Sequence, residues 1–288
     1  DNGFMKGAST VRAIAVDARH LYWTEPGTGA IGRASVDGSD ADVNFIAGAG
    51  TAVAIAVGDR YIYWVDLPRA AIGRANLDGS GVDPSFITGV RGTTGLAVDD
   101  RYLYWASGGD GTIGRAKLDG SAVNDSFVTG ANVPVAVAVD DQHVYWTSRG
   151  ADAIGRANLD GTGADESFIT GAGAPWAVAV DARHVYWTSD ATRAIGRAKL
   201  DGSGADPVFV ATASAAKGLA VDGGPAGTAS GSASELSFGS QPLGAFGPPR
   251  ALTISNSGHG SLEIDAARIS GAGEDDFLVS HDSCSHRT

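Results

Sequence analysis

The run HVYWTSRGADAIGRANLDGTGADESFIT at residues 143–170 recurs on both sides of itself, with few changes, at a spacing of 41 residues. Tyr-Trp pairs end at Trp23, Trp64, Trp105, Trp146 and Trp187, and Ile-Gly-Arg-Ala starts at Ile31, Ile72, Ile113, Ile154 and Ile195. Asp-Gly follows at Asp37, Asp78, Asp119, Asp160 and Asp201, then a Phe at Phe45, Phe86, Phe127, Phe168 and Phe209. No insertion breaks this register. A fixed period of this length marks a repeat architecture, in which each unit buries its apolar face only against its neighbours.

One copy reads as four short strands. Residues 177–180 alternate small and β-branched side chains up to Asp181; residues 184–188 are aromatic and β-branched; residues 194–200 end at Asp201-Gly202; residues 207–211 form the fourth. Four strands between Gly, Asp and Ser punctuation predict one propeller blade. Side-chain size agrees. Blades diverge from an axis, so the innermost strand is rich in Ala and Val, while Trp and Phe fill the wider outer gaps.

These motifs resemble the YWTD repeat of the low-density lipoprotein receptor class B family. The matching residues are 96–99 (Leu-Ala-Val-Asp), 145–147 and 186–188 (Tyr-Trp-Thr), and 72–79 (Ile-Gly-Arg-Ala-Asn-Leu-Asp-Gly). The resemblance covers residues 1–222. It departs at the acidic fourth position, which is Glu25 and Asp66 in two copies and Ser107, Ser148 and Ser189 in three. It implies a six-bladed, generally non-enzymatic propeller. The ends fit six blades: Phe4 and Gly7 lie one period before Phe45 and Gly48, and residues 219–222 read as a sixth first strand. The expected fold is therefore all-β, five full blades plus an incomplete closing blade, with the rest of that blade upstream of Asp1; the alternative is a five-bladed ring with spare end strands.

Residues 223–233 have the composition of a flexible linker. Beyond them, strands are expected at 236–238, 250–256, 262–269 and 277–280. The stretches 236–244 and 252–258, with Asp276-Phe277, resemble the immunoglobulin-like choice-of-anchor D and ASH-type domains of bacterial extracellular proteins. Residues 234–288 are thus expected to be a partial β-sandwich, with Cys284 lacking its usual partner.

The charge balance narrows the partners. With 33 Asp and Glu against 21 Lys and Arg, the net charge is −12. Lysine is confined to Lys6, Lys117, Lys199 and Lys217. Neither nucleic acid nor an anionic lipid surface is an expected partner. No apolar run of 18 residues spans a membrane, so no membrane insertion is expected.

Periodicity also decides which residues carry single-site chemistry. His20, His143 and His184 share a repeat position with Tyr61 and Tyr102, which predicts packing or capping rather than metal ligation. Asp17, Asp99, Asp140, Asp181 and Asp222 close the first strands, with Gly58 breaking the series, and are expected to cap turns. Arg33, Arg74, Arg115, Arg156 and Arg197 are expected to pair with carboxylates between blades. No catalytic residue, metal site or cofactor is expected.

Copies differ mainly in the strand 2–3 loops (residues 25–29, 66–70, 107–111, 148–152 and 189–193). They differ also in the 4–1 connections, where Arg12, Val53, Thr94, Val135, Trp176 and Lys217 share one position. Up-and-down connectivity puts both sets on one face, as for recognition loops on a rigid frame. Trp176, Arg12, Lys217, Asp66, Arg149 and Arg193 are its candidate ligand contacts. The leading expectation is a non-catalytic binding or scaffolding propeller of a secreted or cell-surface bacterial protein, recognising a protein or carbohydrate ligand. The alternatives are a propeller lyase or lactonase, resembling virginiamycin B lyase-like proteins, and a purely structural spacer.

Overall fold

A computed structural model describes residues 11–212, 216–221, 229–231 and 254–256. Residues 1–221 and 222–288 form two separate units. The first is a five-blade β-propeller. Blade 1 is β1 (Ile14–Val16), β2 (His20–Glu25), β3 (Ala30–Ser35) and β4 (Asp42–Ala47). Blade 2 is β5 (Ala52–Val57), β6 (Tyr61–Asp66), β7 (Ala71–Asn76) and β8 (Asp83–Thr88). Blade 3 is β9 (Thr93–Val98), β10 (Tyr102–Ser107), β11 (Thr112–Lys117) and β12 (Asn124–Thr129). Blade 4 is β13 (Pro134–Val139), β14 (His143–Ser148), β15 (Ala153–Asn158) and β16 (Asp165–Thr170). Blade 5 is β17 (Pro175–Val180), β18 (His184–Ser189), β19 (Ala194–Lys199) and β20 (Asp206–Ala211). Every blade is an antiparallel sheet in chain order.

The register explains the invariant glycine of Ile-Gly-Arg-Ala. Each strand-two Trp is paired across the ladder with that glycine, Trp105 with Gly114 and Trp146 with Gly155. The indole lies over the glycine so closely that a Cβ on Gly114 would sit 2.1 Å from the ring. Glycine is required there by the neighbouring ring, not by the backbone angle. The innermost strands β1, β5, β9, β13 and β17 lie side by side. At their tightest approach a Cβ on Gly95 would fall 2.6 Å from Ala136 Cα, which is why this strand carries Gly and Ala.

Blades meet through four apolar seams among the described residues. In each, the Tyr of strand two and the branched residues of strands three and four face the next blade. They pack on its first-strand branched residue, its Trp and its strand-three Ala; Tyr104, Ile113 and Val128 meet Val137, Trp146 and Ala157. Among the described residues the outer flanks have no such cover: Ile14 is 41% exposed where its successor Ile55 is 7% exposed.

The repeat arginines correct the sequence expectation. Among the described residues they form no salt bridge, although Arg33 and Arg115 act at longer range on Asp78 and Asp160 of the next blade; Arg33, Arg74, Arg115 and Arg156 each donate from Nη1 to the carbonyl of a Leu in the following blade, Arg156 to Leu200 at 2.9 Å. The guanidinium also stacks 3.8–4.1 Å from the centroid of its own blade's Phe. A planar cation with five donors satisfies both contacts at once, and a carbonyl beside an aromatic ring costs no second buried charge.

Leu219 and Val221 lie in no strand, because no second strand to pair with them exists among the described residues. The proposed fourth strand around Phe4 lies outside the described residues. In the second unit, Ala229–Gly231 pairs antiparallel with Ile254–Asn256. Ala229–Gly231 falls within the stretch of linker-like composition. The expected strands at 236–238, 262–269 and 277–280, and Cys284, lie outside the described residues.

Candidate functional site

The turn residues behave as caps. Asp17, Asp99, Asp140 and Asp181 each accept two backbone N–H groups with Oδ1 and a Tyr hydroxyl with Oδ2; for Asp140 the donors are Gln142, His143 and Tyr145. His20, His143 and His184 pack 5.8–6.0 Å from the following Tyr, as Tyr61 and Tyr102 do at the same position. Desolvation pushes the His143 pKa down, against the opposing charge of Asp140. No three His, Cys, Asp or Glu side chains gather into a ligating group among the described residues.

The strand 2–3 loops and 4–1 connections do share one face. The loop backbone bonds to the connection entering the same blade: Gly108 N to Gly92 O, Arg149 N to Val133 O, Asp190 N to Ala174 O. The fourth position of the Tyr-Trp motif ties them further even where it is Ser, since Ser189 Oγ donates to Gly173 O at 2.7 Å.

On this face three of the six candidate residues converge. Trp176, second residue of β17, stands at the entry to blade 5. Arg149, from the β14–β15 loop, lies with Cζ 4.6 Å from the Trp176 ring centroid. Lys217, in the segment after blade 5, places Nζ 4.0 Å from the same centroid. Asp190, from the β18–β19 loop, joins them: Arg149 Nη2 donates to its Oδ2 at 2.8 Å, and Lys217 Nζ donates to Oδ1 and Oδ2 at 2.8 and 2.9 Å. The hydrogen bond and charge of Lys217, then those of Arg149, hold the Asp190 carboxyl below the usual carboxylate range. Trp176 is half-buried, while the five repeat tryptophans are at most 1% exposed.

The other three candidates stand apart. Arg12 is exposed at the entry to blade 1, at the far end of the run of blades. Asp66 is buried, 1% exposed, bonded by Arg69 and packed beneath Gly50. Arg193 is exposed with φ +52° and uses its carbonyl to accept from Thr212. Asp190 was missed by sequence reasoning. It is the 41-residue successor of Arg149, so opposite charges stand at one repeat position in adjacent blades, a signal present in the sequence. Glu166 was also missed: it folds in from β16 to accept from Trp146 Nε1 at 2.8 Å, Asn132 N at 2.7 Å and Ser148 Oγ.

No family model matches the chain, and no curated protein is similar to it. Solved structures do share its architecture. A propeller in a nidogen/laminin complex superimposes with TM-score 0.58 at 21% identity, covering 69% of this chain and 79% of that one. A catalytically inactive virginiamycin B lyase from Staphylococcus aureus, solved with quinupristin, gives 0.56 at 15% identity, covering 69% of each chain. A gluconolactonase from Xanthomonas campestris gives 0.58 at 16% identity, covering 75% of this chain and 80% of that one. Identities this low show the fold alone, and the fold serves both binding proteins and enzymes.

Proposed function

We propose that the chain is a non-catalytic binding propeller, secreted or displayed at a cell surface, that recognises a protein through its strand 2–3 and 4–1 loop face. The observation carrying this reading is the convergence of Trp176, Arg149 and Lys217 on that face, all at positions where the repeat otherwise varies. A partly buried Trp flanked by cations has the composition of an interface hot spot. The nidogen propeller, solved with laminin, is a precedent for protein binding by this fold. The test is capture from native extracts by wild type and by Trp176→Ala and Arg12→Ala variants. A specific partner should be retained about tenfold less by Trp176→Ala, a loss of roughly 1.4 kcal/mol. Partners retained equally by all three baits would remove the face from consideration.

A second reading, a lyase or lactonase, is favoured by the two enzyme structures that share the fold. It requires acid–base or metal-holding side chains specific to one copy. Turnover of a streptogramin or an aldonolactone by the purified chain, abolished by substitution of one non-repeated residue, would establish it instead.

A further inference from the structure

We infer that the Arg149–Asp190–Lys217 group beside Trp176 is a carboxylate-binding site, and that the protein recognised through the loop face presents an acidic segment to it. This rests on the binding reading above and supplies the ligand chemistry.

Charge balance is the first ground. Two cations converge on one carboxylate, so the group keeps one uncompensated positive charge within a chain of net charge −12. The second ground is donor balance. Arg149 carries five N–H donors and spends a side-chain bond on Asp190 through Nη2, while its Nη1 is buried with no acceptor among the described residues. Nη1 is shut off from a ligand, so an incoming oxygen meets the exposed remainder of the guanidinium. Lys217 has three donors, and both of its side-chain bonds go to Asp190.

Access is the third ground. The Arg149 and Lys217 side chains are 32% and 51% exposed, whereas Asp190 between them is 18% exposed. An incoming anion therefore meets the cations before it meets Asp190. The repeat does not require this arrangement: Pro26, Leu67 and Gly108 replace Arg149 and Asp190 in the other copies.

The chemistry favours an acidic peptide over an acidic saccharide. A sugar ring is held mainly by stacking on an open aromatic face. Trp176 is partly buried and its ring already carries two cations at 4.0 and 4.6 Å. A Glu or Asp carboxylate needs donors rather than a platform, and donors are what the site offers.

Trp176 is the accessible member of six tryptophans, so quenchable fluorescence reports on this site. The full chain is titrated with hexaglutamate, with hexalysine and with oligogalacturonate, at low and at high salt. Hexaglutamate should give a saturable change that weakens with salt. Arg149→Gln should weaken it about tenfold, the loss of a charge-assisted hydrogen bond. Asp190→Asn should tighten it about threefold, because the competing carboxylate is gone. Thermal midpoints near wild type show that both variants fold. No saturable response to hexaglutamate, a response to hexalysine or oligogalacturonate in its place, or weakening by Asp190→Asn would each overturn the inference. If a captured partner is lost with Trp176→Ala yet is indifferent to Arg149→Gln and Asp190→Asn, the carboxylate site fails and the binding face stands. A hexaglutamate response with no face-dependent partner leaves the site and removes the protein-binding reading.

Discussion

Tyr63 shows how one residue breaks a repeated contact. In four blades the strand-two Tyr hydroxyl donates to the Asp ending strand one, at 2.9–3.0 Å. In blade 2 that Asp is Gly58, and the buried Tyr63 hydroxyl has no acceptor among the described residues. Burial still pushes its pKa up to about 12. A Cβ on Gly58 would meet Val98 at 3.4 Å, an ordinary contact that needs little adjustment. Gly58→Asp should therefore stabilise the chain by about 1 kcal/mol, the net value of a restored hydrogen bond. Urea denaturation checks this, and an unchanged midpoint would mean that the hydroxyl loses nothing. Val133 makes a second test. It has φ +55° at a position filled by Gly92 and Ala174 in neighbouring blades, also left-handed. The left-handed backbone costs about 1–2 kcal/mol, more than the roughly 0.5–1 kcal/mol of chain entropy that glycine adds on unfolding. The Val133 side chain is 47% exposed, so little burial is lost. Val133→Gly should raise stability by about 0.5 kcal/mol or more, read by the thermal midpoint.

At the scale of elements, the ladder between strands two and three is a Trp laid on a Gly. Gly114→Ala would drive a methyl into the Trp105 ring and should cost about 3 kcal/mol or more, the upper range for overpacking. A small loss in calorimetry would mean that the ring moves aside freely. The strand 3–4 turns contribute to the response to acid. Asp37, Asp78, Asp119, Asp160 and Asp201 have pKa values lowered from 3.8, first by a Ser or Thr hydroxyl and then by the same residue's N–H. A depressed folded pKa gives stability that is complete above the unfolded value and is lost as pH falls through the folded one. Replacing Asp78 and Asp160 by Asn should flatten the loss of stability as pH falls below about 4, followed by circular dichroism. An acid limb as steep as wild type would place the titration elsewhere.

For the whole molecule, equivalent residues have unequal worth. Ile169 lies in the seam between blades 4 and 5 at 3% exposure, and Val210, one period later, is 43% exposed on the outer flank. Ile169→Asn should cost about 3 kcal/mol or more by burying an amide without partners. Val210→Asn should stay within about 0.5 kcal/mol, as surface changes do. Equal losses in parallel denaturation curves would show that the flank of blade 5 is covered in solution. Such a contrast between identical repeat positions exists only once blades are placed side by side.

The sequence by itself determined the blade, its four strands and their turns, because strand alternation and turn chemistry are local and were written five times over. Periodicity likewise marked the histidines and strand-end aspartates as structural and showed which face varies. Tertiary structure decided what no single copy contains. The repeat arginines reach a carbonyl one blade away, a contact their own 41 residues cannot reveal. Asp66 and Trp176 looked equally available, yet one lies under Gly50 while the other stands partly exposed beside two cations. Arg149, Asp190 and Lys217 come from consecutive periods of the chain. Arg149 and Asp190 meet because adjacent blades put one repeat position side by side, and Lys217 joins them from the 4–1 position after blade 5; that juxtaposition, not their order in sequence, makes them a site.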